Sequence, residues 1–257
     1  MSKKILFVVV TVLLVISMSL NVFATESKSW YCKRNSANKQ PLLDADMSFI
    51  EDYGGYYVDH NHGDNTAEKV VYLTFDAGYE NGNVSKILDV LSEKKVKGAF
   101  FVLGHLIEEN TALVIRMAEE GHLVCNHTCS HPDMSQKSTI EEFSSELAAL
   151  ENVYRDKTGR ELSKFFRPPE GRFSRKTLEF ANELGYKTVF WSFAYADWDN
   201  NAQISHEAAK KKILDNIHNG AIILLHPTSA TNAAILGEVI DELRAHGYRF
   251  GTLDELK

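Results

Sequence analysis

Cysteine is scarce. Cys32, Cys125 and Cys129 are the three among 257 residues, too few for a disulfide framework, and their odd number leaves at least one thiol free or paired to another molecule. Positive charge is also in deficit: 28 Lys and Arg against 35 Asp and Glu give a net charge of −7. The basic footprint of a general nucleic-acid binder is therefore missing. No glycine-rich phosphate loop follows any apolar run, which argues against a dinucleotide or nucleoside triphosphate site. There is no G-x-S-x-G nucleophile elbow either. Apolar residues are not lacking: at 44% hydrophobic and 25% charged, the chain is neither disordered nor fibrous. Its length suits one domain of roughly 200–250 residues, or two small ones.

The N-terminus reads as a targeting segment. Lys3 and Lys4 precede the apolar run Ile5 to Leu20, and Val22-Phe23-Ala24 follows with the small or aliphatic residues of a cleavage site. That order predicts a signal peptide over residues 1–24. The run is nearly long enough to span a bilayer, so an uncleaved anchor is the alternative; either way the remainder is expected outside the cytoplasm. Ser29-Trp30-Tyr31 is not a lipobox for Cys32. Residues 25–68 are polar and irregular and are expected to pack as an extension on the main domain. His60 and His62, in the stretch DHNHGDN at 59–65, read as solvated loop histidines rather than metal ligands.

From Val70 a rhythm sets in. Short apolar, β-branched and aromatic runs at 70–75, 98–104, 122–126, 165–167, 187–193, 221–226 and 248–253 read as buried strands. Helical patterns separate them, with starts at Asn110, at the capping box Ser138-Thr-Ile-Glu141 and after Ser174, and stops at Gly121, Gly159, Gly185 and Gly220. Such alternation predicts an α/β fold with a parallel sheet and crossover helices. Count and length favour a distorted or incomplete TIM-like (β/α) barrel of about seven parallel strands over an open doubly wound sheet.

In such a barrel the chemistry sits where the C-terminal ends of the strands open into loops. Asp76 stands at the first such end, Asn126-His127 at the third with His131 four residues on, Arg167 at the fourth, Asp197-Trp198 after the fifth and His226 at the sixth. Each alone has a bland reading: a turn start, an ion-pair partner, a satisfied loop histidine. Five convergent readings at one rim point instead to a site. His127 and His131 at i and i+4 can face one cation if the segment turns helically, and imidazole suits Zn²⁺, with Mn²⁺, Fe²⁺ and Co²⁺ as alternatives. Cys129 at i+2 should point away from that face.

These residues form a pattern. Thr74-Phe75-Asp76, His127-Thr-x-x-His131-Pro132, Arg167-Pro168-Pro169-x-Gly171, Asp197-Trp198 and Leu224-Leu225-His226 resemble, in order, the five motifs of the polysaccharide deacetylases (NodB-homology domain, carbohydrate esterase family 4). The string YLTFDAGYENG at 72–82, with Gly104-His105, the FWS run at 190–192 and the extension from Trp30, resembles the delta-lactam-biosynthetic branch. Enzymes of that branch remove acetyl from N-acetylmuramic acid in spore-cortex peptidoglycan. The resemblance implies a deacetylase domain over 69–252 acting on peptidoglycan glycan strands. It implies Asp76 as general base and a divalent metal, Zn²⁺ with Co²⁺ or Mn²⁺ possible, on His127 and His131, completed by water, Asp76 or substrate. It further implies Glu170 acting through its backbone amide, His226 as general acid oriented by Asp197, and Trp198 lining the substrate groove. Arg167 is expected either to hold Asp76 ionised or to bind the lactoyl carboxylate of muramic acid. Two departures stand out: Ala77 occupies the place where most of the family has a metal-binding aspartate, and Glu170 a place where aromatics are frequent. The alternatives are a deacetylase of N-acetylglucosamine (peptidoglycan or chitin) or acetylxylan, and a carbohydrate-binding pseudoenzyme. No nucleic-acid partner is expected, membrane contact only through the N-terminal segment, and a monomer.

Overall fold

The computed structural model describes residues 26–33 and 37–256; the predicted signal segment lies outside them. Ten strands occur in this span: β1 Lys28–Ser29, β2 Gly55–Tyr56, β3 Lys69–Ala77, β4 Ala99–Val102, β5 Leu123–Asn126, β6 Ser163–Phe166, β7 Arg172–Phe173, β8 Lys187–Val189, β9 Ala221–Leu225 and β10 Tyr248–Gly251. The helices are α1 Phe49–Asp52, α2 Asn83–Lys94, α3 Gly104–Glu109, α4 Thr111–Glu119, α5 Ile140–Thr158, α6 Arg175–Glu183, α7 His206–Leu214 and α8 Ala230–Ala245. The seven expected strands are all present and parallel, β3 pairing with β4, β9 and β10 and the ladder continuing through β5, β6 and β8. The sheet curls into the distorted, incomplete barrel that the alternation predicts.

Alternate residues of β3 serve two cores, as the two-residue period of a strand requires. Val71, Leu73, Phe75 and Ala77 join the larger apolar cluster with α2, α4 and α8. Val70 and Tyr72 point inward with Phe101, Cys125, Phe165 and Ile222. Thr74 and Asp76 continue that inward face toward the rim, where both meet Arg167.

The weak point is the seam between β8 and β9. The expected strand 187–193 stops at Val189 because the chain there changes partners. Lys187–Val189 pair with β6 and β2, whereas Phe193 bridges Ile223 and Ser192 N–H donates to the Ile222 carbonyl (2.9 Å). The extension fills what remains. β2 adds to β8, Val58 bridges Ala221, and Trp30 lies against Phe190 and Tyr57 at centroid distances of 4.8 and 5.4 Å.

His62, read from the sequence as solvated, is instead engaged. It hydrogen-bonds the buried Asp59 (2.5 Å), which also accepts from Tyr72 Oη. His60 does remain exposed, beside Glu51 (2.7 Å). The capping box of α5 is displaced by one residue. Thr139 is the N-cap, accepting from Glu142 N–H, and Glu142 reaches back to Ser138 N–H, because this register places Phe143, Leu147 and Leu150 in the core.

Candidate active site

The rim residues converge on one cavity of about 560 Å³, lined by Asp76, His127, His131, Glu170, Trp191, Ala194, Tyr195, Trp198, Leu224 and His226. Arg167 lies behind it with no exposed surface. Its Nη1 donates to Asp76 Oδ1 (2.8 Å), Nη2 to Thr74 Oγ1 (2.9 Å) and the Phe190 carbonyl (3.1 Å), and Nε to the Val189 carbonyl (2.9 Å). The guanidinium also sits over Phe101 (4.1 Å to the centroid) and Trp191 (5.6 Å). Burial alone would push the Asp76 carboxyl up, but the Arg167 guanidinium outweighs it and holds the group below its ordinary range. Asp76 is thus an ionised carboxylate on a fixed mount. The other expectation for Arg167, a substrate carboxylate on its guanidinium, does not fit this arrangement: the group is covered and its donors face the protein interior.

The two histidines do not meet through a helical turn. Residues 127–131 form a loop in which Thr128 (φ 74°) and His131 (φ 60°) are left-handed, a costly geometry for a β-branched residue. Buried Asn126 holds it, accepting Thr128 N–H (2.9 Å) while donating to the Leu147 carbonyl and Tyr186 Oη (both 3.1 Å). Thr128 Oγ1 then accepts His131 N–H (3.0 Å). The loop needs glycine opposite it, since a Cβ at Gly104 would fall 2.7 Å from Cys129 Sγ. The rings of His127 and His131 end 5.2 Å apart, edge to face.

His127 Nδ1 donates to the Arg167 carbonyl (2.8 Å), and burial lowers its pKa to about 4. The ring is therefore neutral, with Nε2 free and 3.6 Å from Asp76 Oδ2. An imidazole oriented by a backbone carbonyl beside a carboxylate, with the exposed His131 alongside, is the chemistry of a divalent-cation donor set. Among the described residues no three His, Cys, Asp or Glu side chains are gathered tightly enough to enclose an ion by themselves. The set fits a site with positions left for water or substrate. Ala77 adds no donor; its methyl lies in the apolar cluster behind the strand.

On the other side of the cavity His226 Nδ1 donates to Asp197 Oδ1 (2.7 Å) and His226 N–H to Asp197 Oδ2 (2.9 Å). Burial opposes a charge on His226, yet the Asp197 hydrogen bond and the charges of Asp197 and Asp76 prevail and raise its pKa. Trp198, 59% exposed, stands edge-on to His226 at 6.0 Å. Glu170 is left-handed (φ 55°) between Pro169 and Gly171, its side chain turned to Arg172 (3.0 Å). Gly171 permits this bend: a Cβ there would meet Trp191 at 2.9 Å and Trp30 at 3.0 Å.

Four contributors were given no role in the sequence reading, although Thr74 and Trp191 stand inside the motifs that carry the resemblance. Asn232 donates to Asp197 Oδ2 (2.6 Å) and accepts from Tyr195 Oη, and Thr74 and Trp191 back Arg167. Asn232 and Tyr195 carry no local sequence signal, and Thr74 could have been drawn only from its place two residues before Asp76.

A polysaccharide deacetylase family model matches residues 63–189. The peptidoglycan-N-acetylmuramic acid deacetylase PdaA of Bacillus subtilis (strain 168) is 41% identical over 233 residues, 90% of this chain and 86% of that protein. The solved structure of Bacillus subtilis PdaA, a family 4 carbohydrate esterase, aligns with TM-score 0.84 at 39% identity, over 90% of this chain and 97% of that one. The peptidoglycan-N-acetylglucosamine deacetylase PgdA of Listeria monocytogenes (serotype 1/2a, strain 10403S) is 37% identical over 189 residues, 73% of this chain and 39% of that protein.

Proposed function

Because this chain belongs to the polysaccharide deacetylases of carbohydrate esterase family 4, we propose that it removes the N-acetyl group of N-acetylmuramic acid in peptidoglycan, outside the cytoplasm, leaving the free amine from which a muramic δ-lactam of spore cortex can close. The observation that carries the hydrolytic reading is the opposed pair across one cavity: Asp76 held ionised by buried Arg167, and His226 held by Asp197 with a raised pKa. Environments that push two titratable groups apart assign a base and an acid. The muramic reading is supported by the reach of the likeness, 90% of the chain for the muramic acid deacetylase against 73% for the glucosamine one.

The chemistry follows from the placement. Asp76 accepts a proton from the attacking water as its oxygen bonds to the acetamide carbon. The Glu170 N–H, at the cavity wall, is offered to the carbonyl oxygen as it gains charge. His226 gives its Nε2 proton to the sugar nitrogen as the C–N bond breaks, because an amine anion is a very poor leaving group; Asp197 keeps the Nδ1 proton in place. The products are acetate and the amine. His127 and His131, with water or substrate in the remaining positions, would hold a divalent metal, which when bound polarises the acetamide carbonyl and lowers the pKa of water.

The test is mass spectrometry of peptide-stripped cortex-type strands and of chitin oligomers after incubation with the protein, with and without chelator. Loss of acetyl from muramic residues, abolished by chelation and restored by Zn²⁺, Co²⁺ or Mn²⁺, is the expected result. Equal rates on both substrates would leave the N-acetylglucosamine alternative standing.

A further inference from the structure

We infer that Tyr79, together with Trp198, forms a second sugar subsite on the His226 side of the cavity, taking the ring of the neighbouring residue of the glycan strand. The inference rests on the deacetylase reading of the cavity and adds to it a requirement for strand length. Large apolar side chains that stay in water are few here: among the described residues they are Tyr31, Leu42, Tyr79 at 44% exposure and Trp198 at 59%. Tyr31 and Leu42 belong to the extension. Tyr79 and Trp198 stand on two different loops of the catalytic rim and are joined, because Asn200 Nδ2 donates to Tyr79 Oη (2.9 Å). Exposed apolar surface beside a catalytic cavity marks a binding surface, and the flat, apolar C–H face of a pyranose is the part of a glycan that an aromatic ring can cover.

The platform is also pre-organised. Glu80, next to Tyr79, accepts the N–H groups of Val84 (2.9 Å) and Ser85 (3.2 Å) at the start of α2, and Asn81 Nδ2 donates to the Thr228 carbonyl (2.8 Å). On the other loop Gln203 Nε2 donates to the carbonyls of Asp197 (2.9 Å) and Asp199 (2.8 Å), while its Oε1 accepts Thr231 N–H (3.3 Å) and the Ser229 hydroxyl (2.5 Å). Both loops are thus tied to the frame that carries His226, and little ordering cost remains for a sugar that lands on them. Neither ring is called for by folding. Tyr79 fills no core, and its hydroxyl needs no burial partner.

The experiment measures kcat and KM for wild type, Tyr79→Ala and Tyr79→Phe on monosaccharide and hexasaccharide members of two series, peptide-stripped peptidoglycan strands and chitin oligomers. Binding of the same oligomers is followed by tryptophan fluorescence as a readout free of turnover. Wild type should favour the hexasaccharide. Tyr79→Ala should raise KM and weaken binding for the hexasaccharide about five- to tenfold, the scale of one aromatic contact, and leave the monosaccharide within about twofold. Tyr79→Phe, which keeps the ring and loses the bond to Asn200, should retain most of the length preference. Equal losses on both lengths in Tyr79→Ala, with Tyr79→Phe as damaged, would make Tyr79 a brace for its loop and overturn the subsite; an unchanged length ratio would overturn it too. A wild type active on chitin alone would instead sink the muramic reading and leave the length dependence measurable in the chitin series.

Discussion

Arg167 places a guanidinium where no water reaches it, and its four hydrogen bonds in three directions explain why. A lysine offers one compact ammonium and cannot serve Asp76, Thr74 and two carbonyls together. Arg167→Lys should therefore lower kcat by at least about a hundredfold, the scale of losing an oriented base. It should do so by the same factor on muramic strands and on chitin oligomers, since the guanidinium faces Asp76 and not the substrate; a factor specific to muramic substrates would return it to carboxylate recognition. His122 makes a separate point about pH. Its ring is buried against Phe100 (5.3 Å), with Nδ1 accepting Gly98 N–H (3.1 Å). Burial, helped by Lys97 and Arg116 and opposed by Glu120, pushes its pKa down to about 4. Between that value and the ordinary value near 6.5 the unfolded chain binds the proton and the folded chain does not, so this contribution to stability falls as pH is lowered through that window and is constant above it. At pH 5 the loss is about 2 kcal/mol. Urea unfolding at pH 7.5 and 5 should show a smaller difference for His122→Gln than for wild type.

Two short elements owe their shape to left-handed residues that are not glycine. In the loop 127–131 these are Thr128 and His131, and in the turn 168–171 it is Glu170. Such conformations cost about 1–3 kcal/mol each and persist where surrounding contacts over-determine them. At Glu170 the side chain pairs with Arg172 and the residue lines the cavity, and the contribution proposed for this element is its peptide N–H rather than a carboxylate. Glu170→Gly keeps that N–H and relieves the positive φ. Activity should stay within about threefold, without loss of thermal stability. Glu170→Pro removes the N–H, demands a φ near −65° and should abolish turnover. Rate and melting temperature of the two variants separate the amide from the side chain; a large rate loss in Glu170→Gly would assign the carboxylate a direct part.

At the scale of the whole molecule the extension completes the barrel. The ladder between β8 and β9 is broken, and β2 on β8 and Val58 on β9 bridge the gap, with Trp30 packed behind them on Tyr57 and Phe190. Trp30 joins that cover to the site: its indole N–H donates to the Trp191 carbonyl (2.9 Å), and Trp191 lines the cavity and lies over Arg167. Trp30→Ala should cost about 3–5 kcal/mol, the range for a buried tryptophan. It should also raise KM, because the wall of the cavity loses its backing. Denaturant unfolding with parallel kinetics tests both; a stability loss with unchanged KM would confine Trp30 to packing.

The order of the parallel strands and of most helices was legible in the residues from Val70 onward, because strands buried on both faces read as unbroken apolar runs and several helices carry a cap or a glycine stop; the short helix Gly104–Glu109 was not, since its first residue closes an apolar run. The rim residues Asp76, His127, His131, Arg167, Asp197 and His226 could be picked out for the same reason, since a parallel barrel sends all its strand ends to one face. Their partners could not. Asn232 is 35 positions from Asp197, Thr74 is 93 from Arg167, and Tyr186 is 60 from Asn126; no local pattern encodes a bond across such separations. The true cap of α5, the stop of β8 at Val189 and the left-handed turn of the histidine loop were likewise settled only by which register buries the most apolar surface and satisfies the buried amides. Sequence alone determined which chemical groups this protein carries to its rim; the tertiary structure decided which of them line the cavity and which, like Arg167, are wholly occupied in holding the others still, because burial and hydrogen-bond saturation are properties of the packed chain.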